Sequence, residues 1–148
     1  MLVVSYRIVT SLPEDSMNKV VAHFTDGRTV KGFTNDFAPD KAHFHVNLTE
    51  PAPDSKVLDM STADLKALYF VKDFAGNPQH IERAEFDPSL RAIGRKIRVM
   101  FKDGEEMVGT TQGYQPARPG FFLIPADLTS NIERCYIVSS STKNIAFI

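Results

Sequence analysis

The sequence predicts an all-β chain built from two tandem small five-stranded β-barrels. Three observations lead to this fold class: an internal repeat, an alternation of apolar residues with period two, and an Asp-Gly pair at the same place in each copy. We expect an N-terminal extension over residues 1–17, a first barrel over 18–74, a linker over 75–94 and a second barrel over 95–148.

The internal repeat has one unbroken shift of 77 residues. It places KVVAHFTDGRTVKGFT (19–34) over KIRVMFKDGEEMVGTT (96–111), and ten of the 53 aligned positions are identical. The shift continues far beyond these segments, because Pro39 falls on Pro116 and Phe44 on Phe121. A register without gaps indicates two copies of one small fold.

Each copy begins with a strand and a tight hairpin. Apolar residues alternate along the first strand, which indicates one buried face. The face consists of equivalent residues in the two copies: Val20, Ala22, Phe24, Ile97, Val99 and Phe101. An Asp-Gly pair follows and supplies the positive-φ residue of a hairpin turn. These structural turn residues are Asp26, Gly27, Asp103 and Gly104.

The returning strand of each hairpin carries a glycine, Gly32 or Gly109. A glycine inside a strand permits a sharp bend or a close backbone approach, so we expect one at each position. The later strands are expected around 44–48, 57–60 and 67–71, and around 121–124, 134–138 and 144–148, with a short polar turn before the last. The connector 73–94 reads mainly as a bridge, with room for a short helix around 79–86.

This order of short strands resembles the Sm-like and Src-homology-type small β-barrels, a resemblance that covers both halves. A second resemblance rests on the motifs GYQPARPGFF (113–122) and PADLTSNIER (125–134), together with LKALYFVKDFAG (65–76) and GRKIRVMFKDGE (94–105). These segments are similar to an uncharacterised bacterial family whose members occur alone or beside signalling domains. That resemblance implies a regulatory class of protein and assigns no site.

Composition restricts the function classes. Lys and Arg number 17 against 18 Asp and Glu, so the chain lacks the marked positive charge typical of a dedicated nucleic-acid binder. The single cysteine, Cys135, cannot form an internal disulfide and is expected to pack in a reducing compartment. Neither a convincing signal peptide nor an apolar run of membrane-spanning length is present, which predicts a cytoplasmic protein without a membrane partner. Met17 directly precedes the first strand and is an alternative start.

The motifs of catalysis and cofactor binding are missing from the sequence. There is no Gly-x-Ser-x-Gly, no GxxxxGK[ST] and no GxGxxG, and the serines at 139–141 are more simply turn residues. His43 and His45 share a strand face near His23, but no acidic residue or cysteine is evidently placed to complete a metal shell. We therefore expect no enzyme activity, no cofactor and no metal.

The segment GTTQGYQPARPGFFLIPAD (109–127) is the most distinctive of the chain. Its prolines stiffen a loop that carries an aromatic residue and an arginine, a composition typical of protein-binding hot spots. The hypothesis is a non-enzymatic protein-interaction or regulatory module in bacterial signalling, and a loop that only plugs its own barrel end is the alternative. The predicted partner-binding residues are Tyr114, Gln115, Arg118, Phe122 and Arg134.

A second function class stays open at the sequence level. RAIGR (91–95) resembles the Arg-x-x-x-Arg arm with which PilZ domains bind cyclic di-GMP, although the later Asp/Asn-x-Ser-x-x-Gly element of that family is missing. Two guanidinium groups on such an arm bind phosphates and stack on guanine. A module for a cyclic dinucleotide or for RNA would use Arg91, Arg95 and Lys96. The sequence names neither the partner nor the oligomeric state.

Overall fold

A computed structural model describes residues 17–48, 56–89 and 93–148, so all but one residue of the predicted N-terminal extension lies outside it. The all-β prediction is confirmed, since regular structure consists of ten strands and two single-turn 3-10 helices, Thr62–Asp64 and Ser139–Ser141. The strands are β1 (Asn18–Phe24), β2 (Thr29–Thr34), β3 (His43–Asn47), β4 (Val57–Ser61), β5 (Leu65–Val71), β6 (Arg95–Phe101), β7 (Glu106–Thr111), β8 (Gly120–Pro125), β9 (Ile132–Val138) and β10 (Thr142–Phe147).

The ten strands form one open antiparallel sheet in the order β10-β6-β7-β8-β9-β5-β1-β2-β3-β4. Each copy of the repeat contributes five neighbouring strands in the same relative order, with its last strand beside its first. The two halves join where β5 of the first pairs with β9 of the second. The curling of each half into its own barrel stays a prediction.

The hairpin turns have the expected backbone. Gly27 and Gly104 have φ values of 94° and 93°, in the left-handed region that favours glycine. The aspartate before each glycine accepts a hydrogen bond from the second residue after it: Arg28 N donates to Asp26 Oδ1 at 2.9 Å, and Glu105 N to Asp103 Oδ1 at 2.9 Å. The two turns are therefore structurally equivalent, as the repeat predicts.

The strand glycines permit the close approach that was expected of them. A Cβ on Gly32 would collide with the carbonyl oxygen of Asn47, and one on Gly109 with that of Ile124, the equivalent residue of the second copy. The threonines two positions beyond these glycines donate to backbone carbonyls across the same gap. Thr34 Oγ1 binds His45 O at 2.7 Å, and Thr111 Oγ1 binds Phe122 O at 2.7 Å.

Two buried clusters form the core, and each draws side chains from both halves. The cluster of the second half includes Ala67, Tyr69 and Val71 from β5. The cluster of the first half includes Tyr136 and Val138 from β9. Because β5 and β9 have buried residues on both faces, the junction between the halves is as buried as either core.

No helix forms around 79–86, where the sequence left room for one: residues 77–89, all of them described, form turns, a bend and chain without regular structure. Backbone N–H groups in this segment donate to side-chain oxygens instead of to the carbonyls of a helix. Asn77 Oδ1 accepts the Gln79 N–H at 3.0 Å, and Arg83 N donates to Asp127 Oδ2 at 3.0 Å. Side-chain oxygens that capture backbone N–H groups compete with helix formation.

Among the described residues, no helix has the length and apolar character that crossing a bilayer requires.

Candidate functional site

A cleft opens beneath the loop that joins β7 to β8, residues 112–119. Its volume is about 280 Å³, and both halves line it because Pro39 of the first half faces residues of the second. We call it the loop cleft. Its lining residues are Pro39, Thr110, Thr111, Gln112, Gly113, Arg118, Pro119, Gly120, Phe121, Phe122, Ile124 and Tyr136.

Arg118 lies exposed at the rim of the loop cleft. Its Nε donates to Gln115 Oε1 at 3.1 Å, and its backbone N–H donates to Gln115 O at 3.1 Å, which closes a turn. Pro116 and Pro119 restrict the backbone on both sides of this turn. The guanidinium is therefore held in place and keeps its terminal N–H groups available at the cleft.

Tyr136 lines the loop cleft from β9 and is 1% exposed. Its hydroxyl makes no hydrogen bond to any described residue. The ring fits because residue 120 is a glycine: a Cβ there would stand 2.5 Å from Tyr136 Oη. Burial raises the pKa of Tyr136, with the Arg118 charge opposing it, so the phenol stays protonated and is a hydrogen-bond donor at neutral pH.

Tyr114 turns inward. It is half-buried, with its ring edge-on to Phe121 at 4.9 Å and to Phe147 at 5.7 Å between centroids. It packs against the core of the second half. Gln115 and Arg118 of the same loop remain exposed.

Phe122 and Arg134, also predicted to bind a partner, lie together on the face of the first core. Phe122 packs against Tyr136 at 5.3 Å and Phe70 at 6.1 Å between ring centroids. The Arg134 guanidinium stands 4.2 Å from the centroid of Phe70 and 5.4 Å from that of Phe122. Phe122 therefore has a packing role that the sequence comparison of the two copies did not reveal.

The two described residues of the phosphate-binding alternative, Arg95 and Lys96, do not converge. Arg91 lies outside the described residues. Arg95 stacks on Phe147 at 3.6 Å and Lys96 lies over Phe86 at 4.8 Å, and neighbouring residues of a strand face opposite sides of the sheet. The phosphate-binding alternative stays a prediction.

The histidines of the sequence analysis are held by other contacts. His45 Nδ1 lies 2.7 Å from Asp36 Oδ2, and the His23 ring packs on Tyr69 at 4.3 Å. Burial, with the Lys66 charge, lowers the pKa of His23. Within the described residues, the group with metal-ligand spacing is a different one, His80, Glu82 and Asp127.

Asp127 is fully buried and already accepts four hydrogen bonds. Its Oδ2 binds Arg83 N and His80 Nε2, each at 3.0 Å, and its Oδ1 binds the N–H and hydroxyl of Thr129 at 3.0 and 2.6 Å. The Thr129 hydroxyl bond is the main cause that keeps the pKa of Asp127 far below its ordinary value. The saturated carboxylate anchors the linker to the second half and leaves little capacity for a metal ion.

Sequence reasoning missed Tyr136 as a site residue. The repeat contained one signal, because Asp59 occupies the equivalent position of the first copy and a Tyr at this place is specific to the second. Nothing in the sequence indicated that Pro39 lines the loop cleft, because this contact depends on how the two halves meet.

A protein-family model described as "Family of unknown function (DUF6982)" matches residues 16–148. Neither a curated protein nor a solved structure matches the chain.

Proposed function

We propose that this chain, which belongs to the DUF6982 family of unknown function, is a non-enzymatic protein-interaction module of bacterial signalling in the cytoplasm. The partner binds in the loop cleft and offers it an acidic side chain.

The fold that presents the site is, in this proposal, a pair of small barrels of the Sm-like type. Support comes from the core of the first half, which unites Val20 of β1, Val46 of β3, Met60 of β4 and Leu68 of β5. In sheet order, β5 and β4 are separated by three strands. At about 4.8 Å per strand, a flat sheet would hold them too far apart to share one cluster, which supports a curled first half.

The observation that carries the function is the pairing of two hydrogen-bond donors in one cleft. The Arg118 guanidinium lies at the rim, and the Tyr136 hydroxyl is buried without a bond to any described residue. An unpaired buried donor costs about 1–3 kcal/mol, which a partner's acceptor group would recover on binding. A carboxylate accepts from both groups, and the half-buried Phe122 supplies an apolar wall.

The size of the loop cleft favours a protein partner over a small-molecule ligand. About 280 Å³ is at or below the lower limit of pockets for drug-sized ligands, which have volumes of about 300–1,000 Å³. A rigid rim arginine beside an aromatic wall is the arrangement found at interface hot spots. The cleft thus suits one anchoring side chain of a larger partner.

The test is binding of labelled peptide libraries that differ only in one acidic, amide or basic anchor residue. We expect the acidic set to bind, and Arg118→Ala to weaken it by about tenfold or more, the usual effect of losing a charge-assisted bond. Tyr136→Phe keeps the ring packing and removes the donor, so it should weaken the same peptides. The matched control is Arg98→Ala, because this exposed arginine does not line the cleft.

The proposal is wrong if Arg118→Ala and Arg98→Ala have equal effects, or if amide and acidic peptides bind alike. The cyclic-dinucleotide or RNA alternative has its own readout in the 260/280 nm absorbance ratio of the protein purified at low salt. The chain has no Trp and four Tyr, so bound nucleotide would dominate the spectrum. A ratio that falls after a salt wash would favour that alternative.

A further inference from the structure

The two halves are joined by the ends of their own sheets. The last strand of the first copy, β5, pairs with the fourth strand of the second copy, β9, and the register includes Leu68↔Tyr136 and Phe70↔Arg134. An ion pair spans the same junction, since Lys66 Nζ lies 2.6 Å from Asp103 Oδ2 and also binds Glu105. Burial works against this charge, but the hydrogen bonds that Lys66 donates to the two carboxylates raise the pKa of Lys66.

Each half has two edge strands, and the junction uses one of them: β5 of the first half and β9 of the second. The repeat relates β5 to β10 and β9 to β4. Strands β10 and β4 are the opposite edges of the ten-stranded sheet. The contact inside the chain is therefore heterologous, because it joins two different surfaces. Among the described residues, the repeat equivalents of these two surfaces, β10 and β4, remain unpaired at the edges of the sheet in every chain.

The edge strand β10 is exposed where its repeat equivalent in the junction, β5, is buried. Every residue of β5 is buried, whereas β10 has no buried residue among Thr142–Phe147. Large apolar side chains stand at both edges: Val57 is 53% exposed, Phe147 38% and Ile148 51%. Proteins usually protect sheet edges with charges or prolines, so apolar residues there mark a surface for pairing.

Backbone N–H and C=O groups at both edges point outward at positions that would pair in the register of the β5–β9 junction. Ile148 N donates to Lys96 O, and Leu48 N to Lys56 O, so these are hydrogen-bonded pairs of the β10–β6 and β3–β4 ladders. Bonded and non-bonded pairs alternate in an antiparallel ladder, so Phe147 and Val57 direct their N–H and C=O groups away from their own sheet.

We propose that the chain associates head to tail with a second copy of itself, β4 of one chain pairing with β10 of the next. Transfer of the β5–β9 register by the repeat shift gives Phe147↔Val57, Ala146↔Leu58 and Ile145↔Asp59. The first pair brings together the two outward-directed residues identified from the backbone. Repetition of this contact closes a ring or extends a filament.

Sedimentation of the full chain over a concentration series tests the proposal, with two single variants that each block one edge. Val57→Lys blocks β4, and Phe147→Lys blocks β10. We expect the native chain to form species heavier than its 16.5 kDa, and each variant alone to be monomeric. Mixed in equal amounts, the variants should form a dimer and nothing larger, because each keeps one intact edge and these two edges are complementary.

Three results would overturn head-to-tail pairing: a native chain that stays monomeric throughout the series, a variant that assembles as the native chain does, or a mixture that stays monomeric. Phe147 also packs on Tyr114 and Arg95, so circular dichroism must show that the Phe147→Lys variant is folded. If it is not, Ile148→Lys replaces it, because Ile148 is half-exposed on the same edge.

Discussion

At the scale of single residues, the clearest requirement is the absence of a side chain at Gly32 and Gly109. Neither has a positive φ, so backbone freedom is not the reason for glycine. The reason is space, because the neighbouring strand passes where a Cβ would stand. Gly113 is different, since a Cβ there would have no atom within 4 Å.

We predict that Gly109→Ala lowers the free energy of unfolding by about 1–3 kcal/mol, the usual cost of forcing extra atoms into a packed site. Gly113→Ala, in the same segment, should change it by less than about 0.5 kcal/mol. Urea denaturation of both variants measures the difference. Equal effects would show that the glycine side of β7 has room that the structure does not show.

Residues with local roles were predictable from the sequence, and residues with distant partners were not. Gly109 and the turn residue Gly104 follow from position within a strand and hairpin. Asp127 binds Arg83, 44 positions earlier in the chain, and the sequence gives no period or motif for such a contact. Tyr136 was missed for the same reason, because its importance comes from Gly120 and Arg118 on another strand and loop.

At the scale of elements, residues 73–89, all of them described, form a strap that one buried carboxylate attaches to the second half. Asp127 follows β8 and binds the backbone of Arg83 and the ring of His80. The neighbouring Asn131 adds a second attachment, since its Nδ2 donates to Asp73 O at 2.7 Å. The strap therefore passes over the second half and is fixed at both sites.

Asp127→Ala should release the strap and lower the free energy of unfolding by about 2 kcal/mol, because the donors that it satisfies lose their acceptor. Trypsin should then cut faster after Arg83. The low pKa of the folded carboxylate means that its contribution is present above the ordinary value of 3.8 and is lost as the pH falls further. Denaturation at neutral and acid pH, with limited proteolysis, checks both points.

The control for this experiment is Glu82→Ala, which removes an exposed carboxylate 3.8 Å from His80. An exposed pair contributes about 0–1 kcal/mol, so the strap should remain attached. The result that contradicts the strap model is equal cleavage after Arg83 in the native chain and in the Asp127 variant.

The strands themselves were predicted well because their signals are short-range. Alternation located β1 and β6, and Asp-Gly pairs located both hairpins. The linker does not form the short helix for which the sequence left room, because Asp127 takes the backbone N–H of Arg83 that a helix would have used. Local propensity is overruled where a tertiary partner binds the backbone.

At the scale of the whole molecule, the halves depend on each other for their cores. The buried cluster of the second half contains Tyr69 from β5, and that of the first half contains Tyr136 from β9. Separation of the halves would expose both. The sequence did not predict β5–β9 pairing, because strand partners 60 or more residues apart leave no local pattern.

We predict that the chain unfolds in a single cooperative transition. Scanning calorimetry should give equal calorimetric and van't Hoff enthalpies, the criterion for two-state unfolding. Residues 95–148 expressed alone should remain unfolded, because this fragment lacks the three β5 residues of its own core. Two separate transitions, or a folded fragment, would contradict this mutual dependence.

The position of Cys135 has a practical consequence. Its sulfur is fully buried opposite Tyr69 in the β5–β9 junction, and burial raises the pKa of the thiol well above its ordinary value. It is also the single cysteine of the chain. A thiol-reactive dye therefore labels the native protein only when the packing around Cys135 opens, so the labelling rate measures that opening without any engineered probe.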